Sequence, residues 1–190
     1  MTHRSKALWR TLAISCGLLA AALPGYSQLN SSVSTVTLTA TLGETLTVAA
    51  TPAAVTFQLS PGGTAVGNAP VVITTAWTLG SGRANVILDA YFSTATAALA
   101  SASTPVVNIP SSEVLGQVTT GTPTTFTPFT QTASLGTAGA GLTLFTQALT
   151  ALNRASFRVD NLNLEINLTT QTQLPASIYT GTITLQAQAL

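Results

Sequence analysis

The feature that most constrains this chain is an alternation of polarity with a period of two. In Val36-Thr37-Leu38-Thr39-Ala40-Thr41-Leu42 every second side chain is apolar and threonine fills the positions between. Successive side chains of a strand point to opposite faces, so the pattern suits a half-buried strand and not a helix. After Gly43-Glu44 the same period returns at Leu46 and Val48. It recurs in a short strand at Val55, Phe57 and Leu59, which stops at Ser60-Pro61-Gly62-Gly63. Val71, Ile73, Thr75, Trp77 and Leu79 share one face, with Trp77 as a core anchor. Gly80-Ser81-Gly82-Arg83 then reads as the turn of a hairpin whose second arm carries Val86, Leu88, Ala90 and Phe92.

The middle of the chain is less regular. Residues 94–102 are alanine-rich and read as a short helix or a loop. Pro105, Pro110, Pro123 and Pro128 break the following stretch into loops and edge strands. Further on, Phe157 and Val159 occupy odd positions, whereas Leu162, Leu164, Ile166 and Leu168 occupy even ones. Parity does not switch inside a regular strand, so Asp160-Asn161 reads as a bulge or tight turn. A last strand places Tyr179, Gly181, Ile183, Leu185, Ala187 and Ala189 inward and Thr180, Thr182, Thr184, Gln186 and Gln188 outward. Many short strands, Gly/Pro turns and no sustained helical period predict an all-β fold, an antiparallel β-sandwich of Ig-like or jelly-roll-like form. A closed barrel is the alternative.

The first residues have a different character. Met1 to Arg10 carry His3, Arg4, Lys6 and Arg10 and no acid; an apolar run from Leu12 to Leu23 follows and ends at Pro24-Gly25. This is the layout of a secretory signal peptide. The apolar run is shorter than the roughly 20 residues a bilayer span needs. Residues 1–27 are therefore read as a signal peptide cleaved after Ser27, and residues 28–190 as a single domain. A rival reading makes Cys16 a lipidation site. The expected location is outside the cytoplasm, as a secreted, cell-surface or periplasmic protein with no stable membrane insertion.

Cleavage there would remove the single His, Cys and Lys of the chain (His3, Cys16 and Lys6). What remains is three arginines (Arg83, Arg154 and Arg158) against five acids (Glu44, Asp89, Glu113, Asp160 and Glu165), a formal charge of −2. Without His or Cys, Ser-His-Asp and Cys-His nucleophiles and the usual zinc or copper ligand sets are excluded. Without a basic patch, nucleic-acid binding lacks its main source of affinity. Paired carboxylates are the catalytic arrangement left to consider, as in glycosidases, with Asp89, Glu113, Asp160 and Glu165 as the acids. Glu165 sits between Leu164 and Ile166 and is read as facing solvent. No Asp-x-Asp-x-Asp-Gly calcium loop occurs. Arg154, Arg158 and the nearby acids read as a solvated ion cluster. The expectation is a non-enzyme with no cofactor and no metal.

Of the 163 residues from Gln28 onward, 33 are threonine, many at outward strand positions where charge usually protects edges from pairing with other chains. Such a chain is prone to strand addition. Ile178-Tyr179-Thr180-Gly181-Thr182-Ile183-Thr184-Leu185 resembles the closing strand of bacterial spore-coat-U-type and related fimbrial subunits. Trp77-Thr78-Leu79 resembles one half of the WxL motif of Gram-positive surface domains, although no second tryptophan follows Tyr179. The fimbrial resemblance implies subunits that self-associate by exchanging strands with the help of a periplasmic chaperone and usher. Val33–Leu42 would then be the donor strand, with Val36, Leu38, Ala40 and Leu42 as its plugs. The same segment also reads as the first strand of its own sandwich. In a different class, an extracellular carbohydrate-binding module would bind glycans through an exposed aromatic, for which Tyr91 is the candidate.

Overall fold

The computed structural model describes residues 29–190. The signal-peptide reading of residues 1–27, with His3, Lys6 and Cys16, lies outside the described residues. Contacts divide the chain at Ala40 into two units. In the first, residues 29–40 contain neither helix nor strand, and their side chains are exposed.

The second unit, Thr41–Leu190, is an all-β, antiparallel sandwich with one short 3-10 turn, Ser111–Glu113. Its larger sheet has the order β1 (Thr45–Thr51), β3 (Val71–Thr78), β10 (Ala155–Asn167), β7 (Val114–Val118) and β8 (Thr127–Pro128). The short β2 (Thr64–Val66) also pairs with β10. A second sheet has the order β12 (Thr184–Ala189), β4 (Asn85–Tyr91) and β9 (Gly141–Ala148). A third small sheet joins β11 (Tyr179–Thr180), β5 (Leu99–Ser101) and β6 (Asn108–Ile109).

The core follows from the alternation. Ile73 of β3 and Leu162 and Ile166 of β10 are fully buried, as are Val86, Leu88 and Ala90 of β4 and Leu142 and Leu144 of β9. Phe92 meets Phe129 edge to face, with ring centroids 5.2 Å apart. Trp77 is buried and donates its indole N–H to the Asn153 carbonyl at 2.8 Å, so an apolar body packs while its one polar atom is satisfied.

Three expectations from the sequence need correction. The β3 and β4 segments do not form a hairpin, because β3 pairs with β1 and β10 whereas β4 pairs with β12 and β9. The Gly80–Ala84 link instead arches from one sheet to the other. Arg154 secures the arch by donating from Nη1 to the carbonyls of Gly80 and Arg83. Both strands carry an apolar face, and facing each other across the core buries both.

The second correction concerns β10. It runs through Asp160-Asn161 without a bulge, and its register with β3 is continuous from Ala155↔Thr78 to Leu162↔Val71. From Arg158 onward the even positions point inward, so Phe157 and Val159 stand exposed on the outer face while Arg158 and Asp160 turn toward the core. Polar residues hold that position because they satisfy one another. Arg158 Nε and Nη2 reach Asp160 at 2.6 and 2.8 Å, and Thr120 Oγ1 donates to Asp160 at 2.7 Å. Nη2 also donates to the Thr120 carbonyl, and the guanidinium lies 4.6 Å above the Phe145 ring. The expected solvated cluster is therefore a buried ion pair at Arg158 and a carbonyl clamp at Arg154.

Third, the stretch holding Val55, Phe57 and Leu59 belongs to no strand. A bulge does exist elsewhere. The β4–β9 register shifts between Leu88 and Asp89, where Leu88 faces Phe145 and Asp89 faces Thr143. The buried Asp89 carboxylate accepts there from Thr143 Oγ1 at 2.7 Å and from the Leu135 N–H at 3.3 Å. Residues 94–98 form a loop that leads into β5.

Candidate functional site

Where β1 ends, the sandwich opens. Pro52 has no N–H to continue a ladder, and the chain from Ala53 to Leu59 belongs to no strand. Its alternation survives: Val55, Phe57 and Leu59 are half-buried, and Thr56 and Gln58 are exposed. Thr56 bonds to Asn68 on both sides, donating its N–H to Oδ1 at 2.9 Å and accepting the Asn68 N–H at 3.0 Å. No strand of the described residues pairs with this stretch.

The facing wall comes from the C-terminal segment, which is not one continuous strand. It pairs as β11 with β5, leaves both sheets at Gly181–Ile183, and pairs as β12 with β4. Gly181 is required here by close approach. A Cβ at this position would overlap the Ala98 carbonyl oxygen, so only glycine lets the chain pass. Tyr179 is half-buried and anchored by its hydroxyl, which donates to the Pro175 carbonyl at 2.9 Å. Ile183 and Leu185 are half-buried with it, and Ala187 packs on the core farther along β12.

Between the two walls lies a groove of about 780 Å³. Val55, Phe57 and Leu59 form one side, and Tyr179, Ile183 and Leu185 the other. Val71, Phe92, Leu164 and Ile166 reach it from the core. No ionisable carboxylate or guanidinium lines it. A smaller cavity of about 250 Å³ continues past Leu59 and Tyr179 to Leu168 and Leu174. Each wall belongs to a margin: β1 is the end strand of the larger sheet and β12 of the second.

The residues singled out from the sequence divide around this slot. Tyr179, Gly181, Ile183 and Leu185 line it. Val36, Leu38, Ala40 and Leu42 lie in no strand, and Val36, Leu38 and Leu42 are 81%, 90% and 85% exposed. The first strand of the sandwich starts after them, at Thr45. Tyr91 sits apart from the groove: its hydroxyl donates to Gln186 Oε1 at 2.7 Å, and Gly136, at φ +89°, packs directly on its ring. Val55, Phe57 and Leu59, which alternate as a short strand in the sequence, form the other wall and lie in no strand. Pro52 and Pro61 on either side were the available sign that this stretch stands outside the ladders.

At the other end of β1, Glu44 is held by the interstrand arch. Its Oε1 accepts the Gly80 N–H at 2.7 Å, and its Oε2 accepts from Arg83 Nη2 at 2.9 Å. The Arg83 hydrogen bonds, helped by the Gly80 N–H, hold the Glu44 carboxyl below the usual carboxylate range. Arg83 is raised in turn by Glu44. Asp89 and Asp160 are buried, Glu113 accepts from Thr170 Oγ1, and Glu165 lies on β10 opposite Leu115 and Val66. Among the described residues no three His, Cys, Asp or Glu side chains gather as a metal site.

Compared with protein-family models, curated proteins and solved structures, the chain matches none of them.

Proposed function

We propose that this protein is a non-catalytic, exported structural subunit that assembles by strand addition, with residues 33–42 of one copy filling the groove of a second. The observation that carries the reading is the groove, free of charged side chains, whose Ala53–Leu59 side pairs with no strand of the described residues. A strand laid there gains main-chain hydrogen bonds from the margins and buries alternate side chains.

The donor segment has the required chemistry. Val36, Leu38, Ala40 and Leu42 occupy one parity over seven residues, and Ala53–Leu59 and Tyr179–Leu185 each offer four positions of one parity over the same length. Threonine fills the other face of the donor, so the inserted strand would present hydroxyls to water. Burying a Val or Leu side chain contributes roughly 1.5–3 kcal/mol, so the plugs supply a gross gain large enough to offset the ordering of a free arm. The groove is uncharged, and so is the donor from Val33 to Leu42. An exported chain with such a groove also needs a temporary occupant before assembly, and an assembly chaperone that lends a strand is the partner this suggests.

Leu38→Asp tests the reading, with solution mass and circular dichroism as readouts. A folded monomer that assembles at least tenfold more weakly than the parent chain is expected, because a plug is lost and a carboxylate would enter an apolar slot. Unfolding of the monomer would show that residues 33–42 are the first strand of their own sandwich. Unchanged assembly would refute the donor role.

A further inference from the structure

The outer face of the β4–β9 pair carries a cluster of side chains that the groove does not use. The register shift there sets Thr143 opposite Asp89, where an unbroken register from Leu88↔Phe145 would have placed Leu144. Bulges often re-aim a side chain in this way. Thr143 Oγ1 donates to Asp89 Oδ1 at 2.7 Å, and Asp89 is fully buried. The segment 131–140 folds over it: the Leu135 N–H donates to Asp89 Oδ2 at 3.3 Å, and Gly136 packs on the neighbouring Tyr91 ring.

Gln131 stands at the root of that segment. It exchanges both backbone hydrogen bonds with Gly141, at 2.8 and 3.1 Å, which fixes it two residues from Thr143 along β9. Its side-chain Oε1 accepts the Thr143 N–H at 2.9 Å. One residue thus gives its hydroxyl to a buried carboxylate and its N–H to a side-chain amide. Elsewhere among the described residues a threonine meets only half of this set. Thr120 and Thr170 donate to the carboxylates of Asp160 and Glu113, whereas Thr150 and Thr169 donate to the amides of Asn153 and Asn167.

The three groups are those an acyl transfer needs. A hydroxyl becomes a nucleophile when an adjacent base takes its proton. An amide carbon becomes a better electrophile when an N–H holds its oxygen, where negative charge develops. We propose that Thr143 and Gln131 join in an intramolecular ester, with Asp89 as the base. Thr143 Oγ1 attacks Gln131 Cδ and gives its proton to the Asp89 carboxylate, while the carbonyl electron pair moves onto Oε1 beside the Thr143 N–H. The intermediate collapses, the Cδ–Nε2 bond breaks, and the proton passes from Asp89 to the departing nitrogen. One O–C bond replaces one N–C bond and one ammonia leaves, with no change of oxidation state and no co-reactant.

Attack needs the hydroxyl oxygen about 3–3.5 Å from the amide carbon. Gln131 is exposed, so its side chain can swing the carbon into that range about the oxygen that Thr143 holds, and the ammonia departs into water. The bond forms once and does not turn over, so it is a modification of this chain and independent of the strand-addition reading. It would tie the segment 131–140 down over Asp89. The chain has one cysteine, Cys16, and none beyond it, so an ester would supply the covalent staple that exported domains commonly take from disulfides.

Mass spectrometry of the purified, folded chain tests this. Cleavage at arginine releases residues 84–154 as one peptide holding both partners. That peptide is expected to be lighter than its sequence by one ammonia. A second protease cutting after Leu135 should leave its two pieces joined, and hydroxylamine, which cleaves esters, should part them. Thr143→Val and Gln131→Met should restore the full mass, whereas Thr143→Ser should keep the link. Asp89→Asn should slow its formation at least tenfold. Circular dichroism shows which variants are folded, and Gln131→Met, which alters an exposed side chain, keeps the test secure. A folded parent of full mass would overturn the proposal, as would conversion of Gln131 to glutamate without a link. A link that persists in Gln131→Met or Thr143→Val would overturn the assignment of its partners.

Discussion

Replacing Asp160 by Ala tests the arrangement that most departs from the sequence pattern. The carboxylate accepts from Arg158 Nε at 2.6 Å, Arg158 Nη2 at 2.8 Å and Thr120 Oγ1 at 2.7 Å, and Asp160 is only 1% exposed. Without it, the guanidinium keeps the Thr120 carbonyl and the Phe145 face but has no counter-charge. Removing one partner of a buried pair costs about 3–5 kcal/mol. The Arg158 side chain retains 24% exposure and can recruit water, which lowers the expectation to about 2–4 kcal/mol. For a chain of this size each kcal/mol moves the melting temperature by roughly 2–4 °C, so a fall of about 5–15 °C is expected. Thermal and urea unfolding of the parent, Asp160→Ala, Arg158→Met and the double variant Arg158→Met/Asp160→Met measure it. The double variant should recover much of the loss, because it leaves no unpaired charge behind. A cost below about 0.5 kcal/mol for Asp160→Ala would mean that the pair is solvated and that β10 bulges as its hydrophobic parity suggests.

Two further outcomes follow from the same geometry. Gly181→Ala forces a methyl group into the Ala98 carbonyl and should cost about 2–4 kcal/mol in urea unfolding, as overpacking against backbone does; a neutral variant would show that the C-terminal segment passes Ala98 at a greater distance. Glu44 supplies the pH dependence. Because its pKa is lowered in the folded state, its contribution is present above the unfolded carboxylate pKa and is lost as pH falls through the folded value. The stability difference between the parent chain and Glu44→Gln should accordingly be constant near neutrality and shrink in acid, and a difference that grows in acid would contradict the pairing with Arg83.

Much of the sandwich is legible in residue order. The alternation of Val86, Leu88, Ala90 and Phe92 names a buried face correctly, because period two and burial share one cause. Trp77 reads as an anchor for the same reason. Alternation says which way a side chain points, though not which strand lies beside it. That is why β3 and β4, joined by a glycine-rich link, look like a hairpin but lie in opposite sheets.

In β10 hydrophobicity misled. Phe157 and Val159 are apolar yet exposed, while Arg158 and Asp160 are polar yet inward. An ion pair between residues two apart on one face leaves no trace in a hydropathy pattern. The groove is half legible: Tyr179, Ile183 and Leu185 stand out in the sequence, but the wall of Val55, Phe57 and Leu59 is defined by the absence of a neighbouring strand. Pairing depends on residues distant in the chain, and local order cannot supply it.

The most direct test of the central claim is amide hydrogen exchange of residues 28–190 in the monomeric and assembled states, read by mass spectrometry. Strand addition predicts that peptides covering Val36–Leu42 and Ala53–Leu59 exchange fast in the monomer and become protected together on assembly, since each gains ladder hydrogen bonds from the other. Assembly in which both stretches go on exchanging as fast as in the monomer would contradict the account.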